Sequence, residues 1–259
     1  MYDCKLQAHR GVSTDYPENT MPAFAGAVEQ GYDIIELDPA VTLDGKIVVL
    51  HDASINRTGR TADGAVIQEP IKISDITYEE ALQYDFGLWY SEEFRGVKLP
   101  LLSEALAFAA KHDIPVKIDN KFQKFTKEQQ ESLFQVVKES GARIAFTCNS
   151  IEAVRLVLSK LADVEIHYDG VVTKEILEEL SSIVEKGKLV VWLPYQCSLT
   201  TWVKIPFADQ ALSRLVKQYA RLGIWILSEE EQRQDAVNNL GADIIETTGG
   251  IKPLMPGSR

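Results

Sequence analysis

Residues 34–52 read Ile34-Ile35-Glu36-Leu37-Asp38-Pro39-Ala40-Val41-Thr42-Leu43-Asp44-Gly45-Lys46-Ile47-Val48-Val49-Leu50-His51-Asp52. Two apolar runs flank a Leu43-Asp44-Gly45-Lys46 turn, the pattern of two strands joined by a tight reversal. Glu36 and Asp38 stand two apart, and side chains at that spacing point to the same side of a strand. An apolar strand that aims two carboxylates at one place carries a large desolvation penalty unless a cation or a buried partner meets them. The second run ends in His51-Asp52. The rest of the chain reads as a scaffold that brings further groups to this point.

Upstream, Leu6 to Gly11 predicts a short strand ending on His9-Arg10-Gly11. A helix is expected from Met21 to Gln30, capped by Asn19 or Thr20, with Pro22 in its first turn and Gly31 as its stop. Downstream, the span 53–99 has weak periodicity, many turn residues and the aromatics Tyr84, Phe86, Trp89, Tyr90 and Phe94, which predicts an insertion folded over the scaffold. Ser103 is expected to cap a helix running to about His112. From Ile114 onward, strands alternate with longer helical runs. The strands fall at 114–119, 143–147, 164–168, 189–193, 224–227 and 242–247. The helices open at Thr126, Ser150, Thr173, Asp209 (to Arg221) and Glu229.

Such alternation argues for parallel β/α units. The expected architecture is a single α/β domain over 1–259, a TIM-type (β/α)8 barrel with an inserted segment after the third strand, at about 53–99. Nine candidate strands are present, so one must lie outside an eight-stranded ring or be misread. An open doubly wound sheet is the runner-up. The barrel is favoured because its sites gather at the C-terminal ends of several strands.

The chain has 259 residues, 45% of them apolar, and a formal net charge of −11. That balance argues against nucleic-acid binding or stable association with an anionic membrane, but not against a small phosphate-bearing substrate. Cys4, Cys148 and Cys197 are odd in number and have no metal-ligand spacing, which predicts free thiols in a reducing compartment. With no signal core and no long apolar stretch, the expected location is cytoplasmic.

Four predicted strand ends carry polar groups: His9-Arg10, Glu36 with Asp38, His51-Asp52, and Asp119 with Lys121. Three carboxylates with few nitrogen ligands suit a hard cation such as Mg²⁺ or Ca²⁺ rather than structural zinc. Two histidines beside it suit general acid and base roles. Arg10 and Lys121 add charge that suits a phosphate oxygen. Together these groups describe metal-assisted attack on a phosphodiester. Each residue also has a plainer role open to it. Asp119 is a possible partner of Lys117 or Lys121, Lys121 a solvated charge, Trp225 barrel core, and Glu18 a partner of Arg10. Asp52 reads as an orienting group. His112 at a helix end is assigned no catalysis, and His167 reads as structural.

The sequence resembles the glycerophosphodiester phosphodiesterase family. The matching residues are Ala8-His9-Arg10-Gly11, Pro17-Glu18-Asn19-Thr20, Glu36-Leu37-Asp38 with Val41-Thr42, Asp44-Gly45, Val48-Val49 with His51-Asp52, and Arg57-Thr58. Sparser matches follow at Lys117 to Lys121, Trp225 and Gly241 to Ile245. The resemblance implies a TIM-type barrel that hydrolyses glycerophosphodiesters to glycerol 3-phosphate and an alcohol. It implies that Glu36, Asp38 and Asp119 hold the divalent metal and that His9 and His51 form the acid/base pair. His9 is written as base and His51 as acid, an order the sequence leaves open. It further implies that Arg10 meets the phosphate, that Lys121 matches the family's lysine and that Trp225 lines the glycerol pocket. From the residues themselves, Glu18 pairs with Arg10 ahead of reaching the metal, and Asp52 orients its neighbours. The chain departs from the family pattern at Asp119, where a glutamate is usual, after Trp225, and at Glu246-Thr247-Thr248. Those departures keep two alternatives in play: a non-catalytic phosphodiester- or phosphate-binding barrel, and a phospholipase-D-like lyase that ends at a cyclic phosphate.

Overall fold

A computed structural model of the chain describes residues 4–253. Eight parallel strands close into a barrel. In chain order they are β1 (Lys5–Ala8), β2 (Ile34–Leu37), β5 (Val116–Ile118), β6 (Ile144–Cys148), β7 (Glu165–Tyr168), β8 (Leu189–Pro194), β9 (Arg221–Leu227) and β10 (Ile244–Thr247). β1 pairs with both β2 and β10, which shuts the ring. Two further strands, β3 (Pro39–Val41) and β4 (Ile47–Val49), form an antiparallel hairpin outside it.

The stretch 34–52 therefore divides. Its first run leaves the ring after Leu37, because Pro39 has no N–H to continue the parallel ladder, and the chain re-pairs as the hairpin. The ninth candidate strand is β4. The third strand in chain order is thus not a barrel stave, and the segment that follows it sits between the second and third staves of the ring.

Helices α1 (Met21–Glu29), α3 (Leu102–Lys111), α4 (Lys127–Ser140), α5 (Ile151–Lys160), α6 (Lys174–Ile183), α7 (Gln210–Val216) and α8 (Glu230–Asn238) alternate with the staves, while α2 (Tyr78–Ala81) lies in the inserted segment. Thr126, Ser150, Thr173 and Asp209 cap their helices through the side chain. Three expectations need correction. Thr20 precedes α1, but its hydroxyl donates to Pro17 O instead of capping. Ser103 lies inside α3, whose start is held by the Glu104 carboxylate accepting from Leu101 N at 2.8 Å. α7 ends at Val216, and Arg221 already belongs to β9.

The barrel interior is layered by the two-residue period of its strands. Ile34, Val190, Trp192 and Ile244 form one buried cluster. Two residues on from Ile34 and Ile244 come Glu36 and Glu246, so the level toward the C-terminal mouth turns polar. The segment after β4 has its own buried cluster, including Val48, Leu50, Ile55, Ile73, Phe86 and Leu99. Asp85 pins its turn by accepting from the backbone N–H of Gly87, Leu88 and Gly96 at 2.6–2.8 Å. Gly87 is obligatory there, since a Cβ would lie 1.9 Å from Phe94 O. Among the described residues, no helix is long and apolar enough to cross a membrane.

Candidate active site

Glu36 lies on β2 and Asp38 one residue past its end. The β2–β5 register pairs Glu36 with Lys117 and Leu37 with Ile118, and Asp119 N donates to Leu37 O at 3.0 Å. Asp119 is thereby set beside Asp38. Glu36, Asp38 and Asp119 each offer an oxygen within 4.8 Å of the others. Glu36 and Asp38 are 2% exposed. Burial, followed by the Asp38 charge, pushes Glu36 well above the usual carboxylate range, and the same two causes raise Asp119. Burial would raise Asp38 as well, but Lys121 and Arg10 overcome it and hold it at about 2. Lys121 Nζ is 2.7 Å from Asp38 Oδ1, Arg10 Nε is 3.4 Å from Oδ2, and Asn19 Nδ2 donates to Oδ2 at 2.7 Å. Two buried carboxylates and a partly buried third that resist ionising together fit a hard divalent cation.

The turn after β1 serves this cluster. Arg10 adopts φ +58° and Gly11 φ +76°, a left-handed step that costs Arg10 about 1–2 kcal/mol. The step aims Arg10 N at Glu36 Oε2, 2.9 Å away. His9, whose own N donates to Thr247 O at 2.9 Å, brings Nε2 to 4.0 Å from Glu36 Oε2. Burial lowers His9 to about 4; the Glu246 charge opposes this and Arg10 adds to it. His9 is therefore a neutral imidazole at neutral pH.

His51 arrives from the end of the hairpin. Its Nδ1 is 2.7 Å from Asp52 Oδ1, which leaves Nε2 as the free nitrogen. Asp52 is in turn bound by Arg57 Nε at 2.6 Å, and Arg57 donates twice to Glu18 at 2.7 and 2.8 Å. Glu18 also accepts from Arg10 Nη1 at 2.9 Å. Arg57, which the sequence marked only as a motif position, thus ties Asp52, the partner of His51, to Glu18, the partner of Arg10. Lys121 Nζ donates to His51 O as well as pairing with Asp38. It is turned onto the cluster and the hairpin rather than standing as a solvated charge.

These groups open on a cavity of about 580 Å³ at the C-terminal mouth of the barrel. His9, Arg10, Glu36, Asp38, His51, Asp119 and Trp225, all proposed from sequence, line it. Lys121, Glu18 and Asp52 stand behind that lining. Sequence reasoning missed Lys117, Asn120, Thr147, Asp169, Trp192, Trp202 and Glu246 as lining groups. Lys117 and Glu246 form a buried ion pair at 2.7 Å, joined by Gln7 Nε2, which donates to the same Glu246 oxygen. Lys117 Nζ also sits 4.3 Å from the Trp192 ring centroid. Below it, Trp192 Nε1 donates to His167 Nδ1 at 2.9 Å, and His167 Nε2 is 2.7 Å from Glu165. His167 is fully buried in this chain of contacts, a structural placement. The spacing signal for Glu246 was present, since Ile244 and Glu246 repeat the inward pattern of Ile34 and Glu36. Its partner lies 129 positions away.

Residues 9–189, well over half of the chain, match the model of the glycerophosphoryl diester phosphodiesterase family. The chain belongs to that family. Among curated relatives, it is 40% identical over 114 residues to a glycerophosphodiester phosphodiesterase of Caldanaerobacter subterraneus, covering 44% of each chain. It is 42% identical over 102 residues to one of Bacillus altitudinis, covering 39% of this chain and 38% of that one. The chain thus spans less than half the length of these two curated relatives. Among solved structures, it superposes with a TM-score of 0.76 on an Oleispira antarctica phosphodiesterase in complex with the product sn-glycerol-3-phosphate, at 20% identity and covering 95% and 93% of the two chains. At that identity the likeness carries the fold: family members of this kind share the closed barrel described above.

Proposed function

We propose that this family member hydrolyses glycerophosphodiesters to glycerol 3-phosphate and an alcohol, using a divalent cation, Mg²⁺ or Ca²⁺, and two histidines. The observation that carries the reading is the convergence of the Glu36, Asp38 and Asp119 oxygens, His9 and His51 on one cavity. Glu36, Asp38 and Asp119 would hold the cation. When bound, it would polarise the phosphoryl oxygens and offset the charge that the three carboxylates concentrate.

Arg10 stands at the cavity wall between Glu18 and Asp38 and presents its guanidinium to the phosphate. His9, neutral through burial, takes the proton of the attacking hydroxyl. His51, oriented by the Asp52 carboxylate at its Nδ1, gives a proton to the leaving alkoxide. Lys121 holds Asp38 ionised and steadies the His51 backbone. Trp225 supplies a flat apolar face for the carbon skeleton of the substrate.

The test is release of glycerol 3-phosphate from glycerophosphocholine and glycerophosphoethanolamine, with and without EDTA. Turnover that EDTA abolishes supports the proposal. Absence of turnover with Mg²⁺, Ca²⁺ and Mn²⁺ across a panel of diesters overturns it. ³¹P NMR of the product separates hydrolysis from a lyase that stops at the cyclic phosphate.

A further inference from the structure

The wall of the cavity between β6 and β7 is polar, buried and unused by the chemistry above. Thr147 lies on β6 and is 2% exposed. Asp169 follows β7, and its N donates to Cys148 O at 3.0 Å, which places the two residues on adjacent strand ends. Both line the cavity. Asn120 Nδ2, from the end of β5, donates to Asp169 Oδ2 at 2.9 Å. The remaining carboxyl oxygen, Asp169 Oδ1, and the hydroxyl, Thr147 Oγ1, are buried and have no hydrogen-bond partner among the described residues. A buried polar atom left unpaired costs about 1–3 kcal/mol, and folded proteins satisfy nearly all of them. Two such atoms on one wall of one cavity mark a place where a ligand completes the bonding.

The chemistry of the two atoms narrows the ligand. A phosphate oxygen only accepts, so it offers no hydrogen to the Asp169 and Thr147 oxygens, and it repels Asp169 whenever that carboxyl is ionised. An ammonium donates to both oxygens but leaves the Thr147 O–H without an acceptor. A hydroxyl both donates and accepts, and it satisfies each. Burial and the neighbouring Asp119 push Asp169 up to about 7, and a hydroxyl, which donates and accepts, suits its carboxyl in either protonation state. Beyond this wall, β8 and β9 contribute Trp192 and Trp225 to the same cavity, flat surfaces suited to the carbon side of a small polyol.

We propose that Thr147 and Asp169, with Asn120 holding Asp169 in place, bind the free hydroxyl groups of the glycerol half of the substrate. They thereby select glycerol diesters over diesters without hydroxyls. The proposal rests on the phosphodiesterase reading and adds to it the residues that set specificity. They are specificity residues, distinct from the groups that move protons.

The experiment compares glycerol 3-phosphate with n-propyl phosphate, which has the same carbon count and phosphate but no hydroxyls. Binding of each to the full chain is measured by titration calorimetry with Mg²⁺ present. The wild type is expected to prefer glycerol 3-phosphate by at least about tenfold. Thr147→Val and Asp169→Ala should each lower that ratio several-fold, and the pair of changes should bring it near one. Thr147→Ser and Asp169→Asn keep a hydrogen-bonding group and should restore most of the preference. A merely structural role would weaken both ligands alike and leave the ratio unmoved. A wild-type ratio near one, a ratio unaffected by Thr147→Val and Asp169→Ala, or no binding of either ligand overturns the proposal. Turnover of bis(p-nitrophenyl) phosphate, which contains no glycerol, reads the phosphodiesterase activity separately. Turnover without a binding preference overturns the hydroxyl site alone. A preference without turnover of any diester supports the hydroxyl site and overturns hydrolysis.

Discussion

One half of the barrel mouth is fed by β1, β2, the β3–β4 hairpin and β5. It carries its polar groups in short runs: His9-Arg10, Glu36-Leu37-Asp38, His51-Asp52 and Asp119-Asn120-Lys121. The half fed by β6 to β10 carries single residues: Thr147, Asp169, Trp192, Trp225 and Glu246. The first half is dense in charge and internally tied, with Arg10, Arg57 and Lys121 each engaging carboxylates on neighbouring segments. The second half holds aromatic faces and, in Thr147 and Asp169, polar atoms without protein partners among the described residues. The difference separates two tasks. Charge cross-linked on several strand ends suits a cation and proton transfer, whereas loosely satisfied polar groups beside aromatics suit recognition of an organic moiety. A buried ion pair, Lys117 on β5 with Glu246 on β10, joins the two halves at the cavity lining, as the Asn120–Asp169 hydrogen bond does.

Substitutions in the two halves should therefore fail differently. His9→Ala and His51→Ala are expected to lower kcat for a glycerophosphodiester by about 10²–10⁴-fold, whereas Trp225→Ala should act mainly by raising KM. Steady-state kinetics check this, and a His9 variant that changed only KM would dissolve the division. The joining pair is tested by Lys117→Met, which leaves Glu246 buried and unpaired. That change is expected to destabilise the fold by about 3–5 kcal/mol in urea unfolding, and adding Glu246→Leu should recover much of the loss.

Smaller effects sharpen the comparison. Asp119→Ala should weaken the shift in melting temperature caused by added Mn²⁺, with at least about a tenfold loss of apparent affinity; Thr147→Val should leave that shift in place. Asp169 sits at about 7 in the folded chain against an ordinary 3.8. A raised carboxyl binds its proton more tightly when folded, so it lowers stability progressively as pH climbs from about 4 to about 7. Asp169→Asn removes that contribution. Its stability relative to the wild type, measured by urea unfolding in EDTA, should rise across that interval and level off above it.

Much of the fold was legible in the sequence because each β/α unit carries its own local signals, and the capping residues Thr126, Ser150, Thr173 and Asp209 sit where their side chains predicted. The hairpin's turn and second arm were legible, but its first arm, β3, read as continuous with β2, since apolar character persists through Val41. The backbone consequence of Pro39 decides where the ring is left. Ser103 misled because a serine at a helix start resembles a cap, while the Glu104 carboxylate already satisfies the Leu101 N–H. In the site, the legible residues were those in dense polar runs. Thr147, Asp169 and Glu246 each stand alone in apolar strands or at their ends, and only closure of the barrel brings them to one cavity. Lys117 looked like a neighbour for Asp119, but its ammonium instead crosses to Glu246 on β10.

The central claim, that Glu36, Asp38 and Asp119 together hold the cation on which hydrolysis depends, is tested most directly by anomalous diffraction from a crystal soaked in Mn²⁺. The account predicts one strong anomalous peak at the barrel mouth, bonded to oxygens of all three carboxylates at about 2.0–2.6 Å. A mouth without a peak, or an ion that leaves Asp119 uncoordinated while Lys121 keeps its place on Asp38, would contradict it.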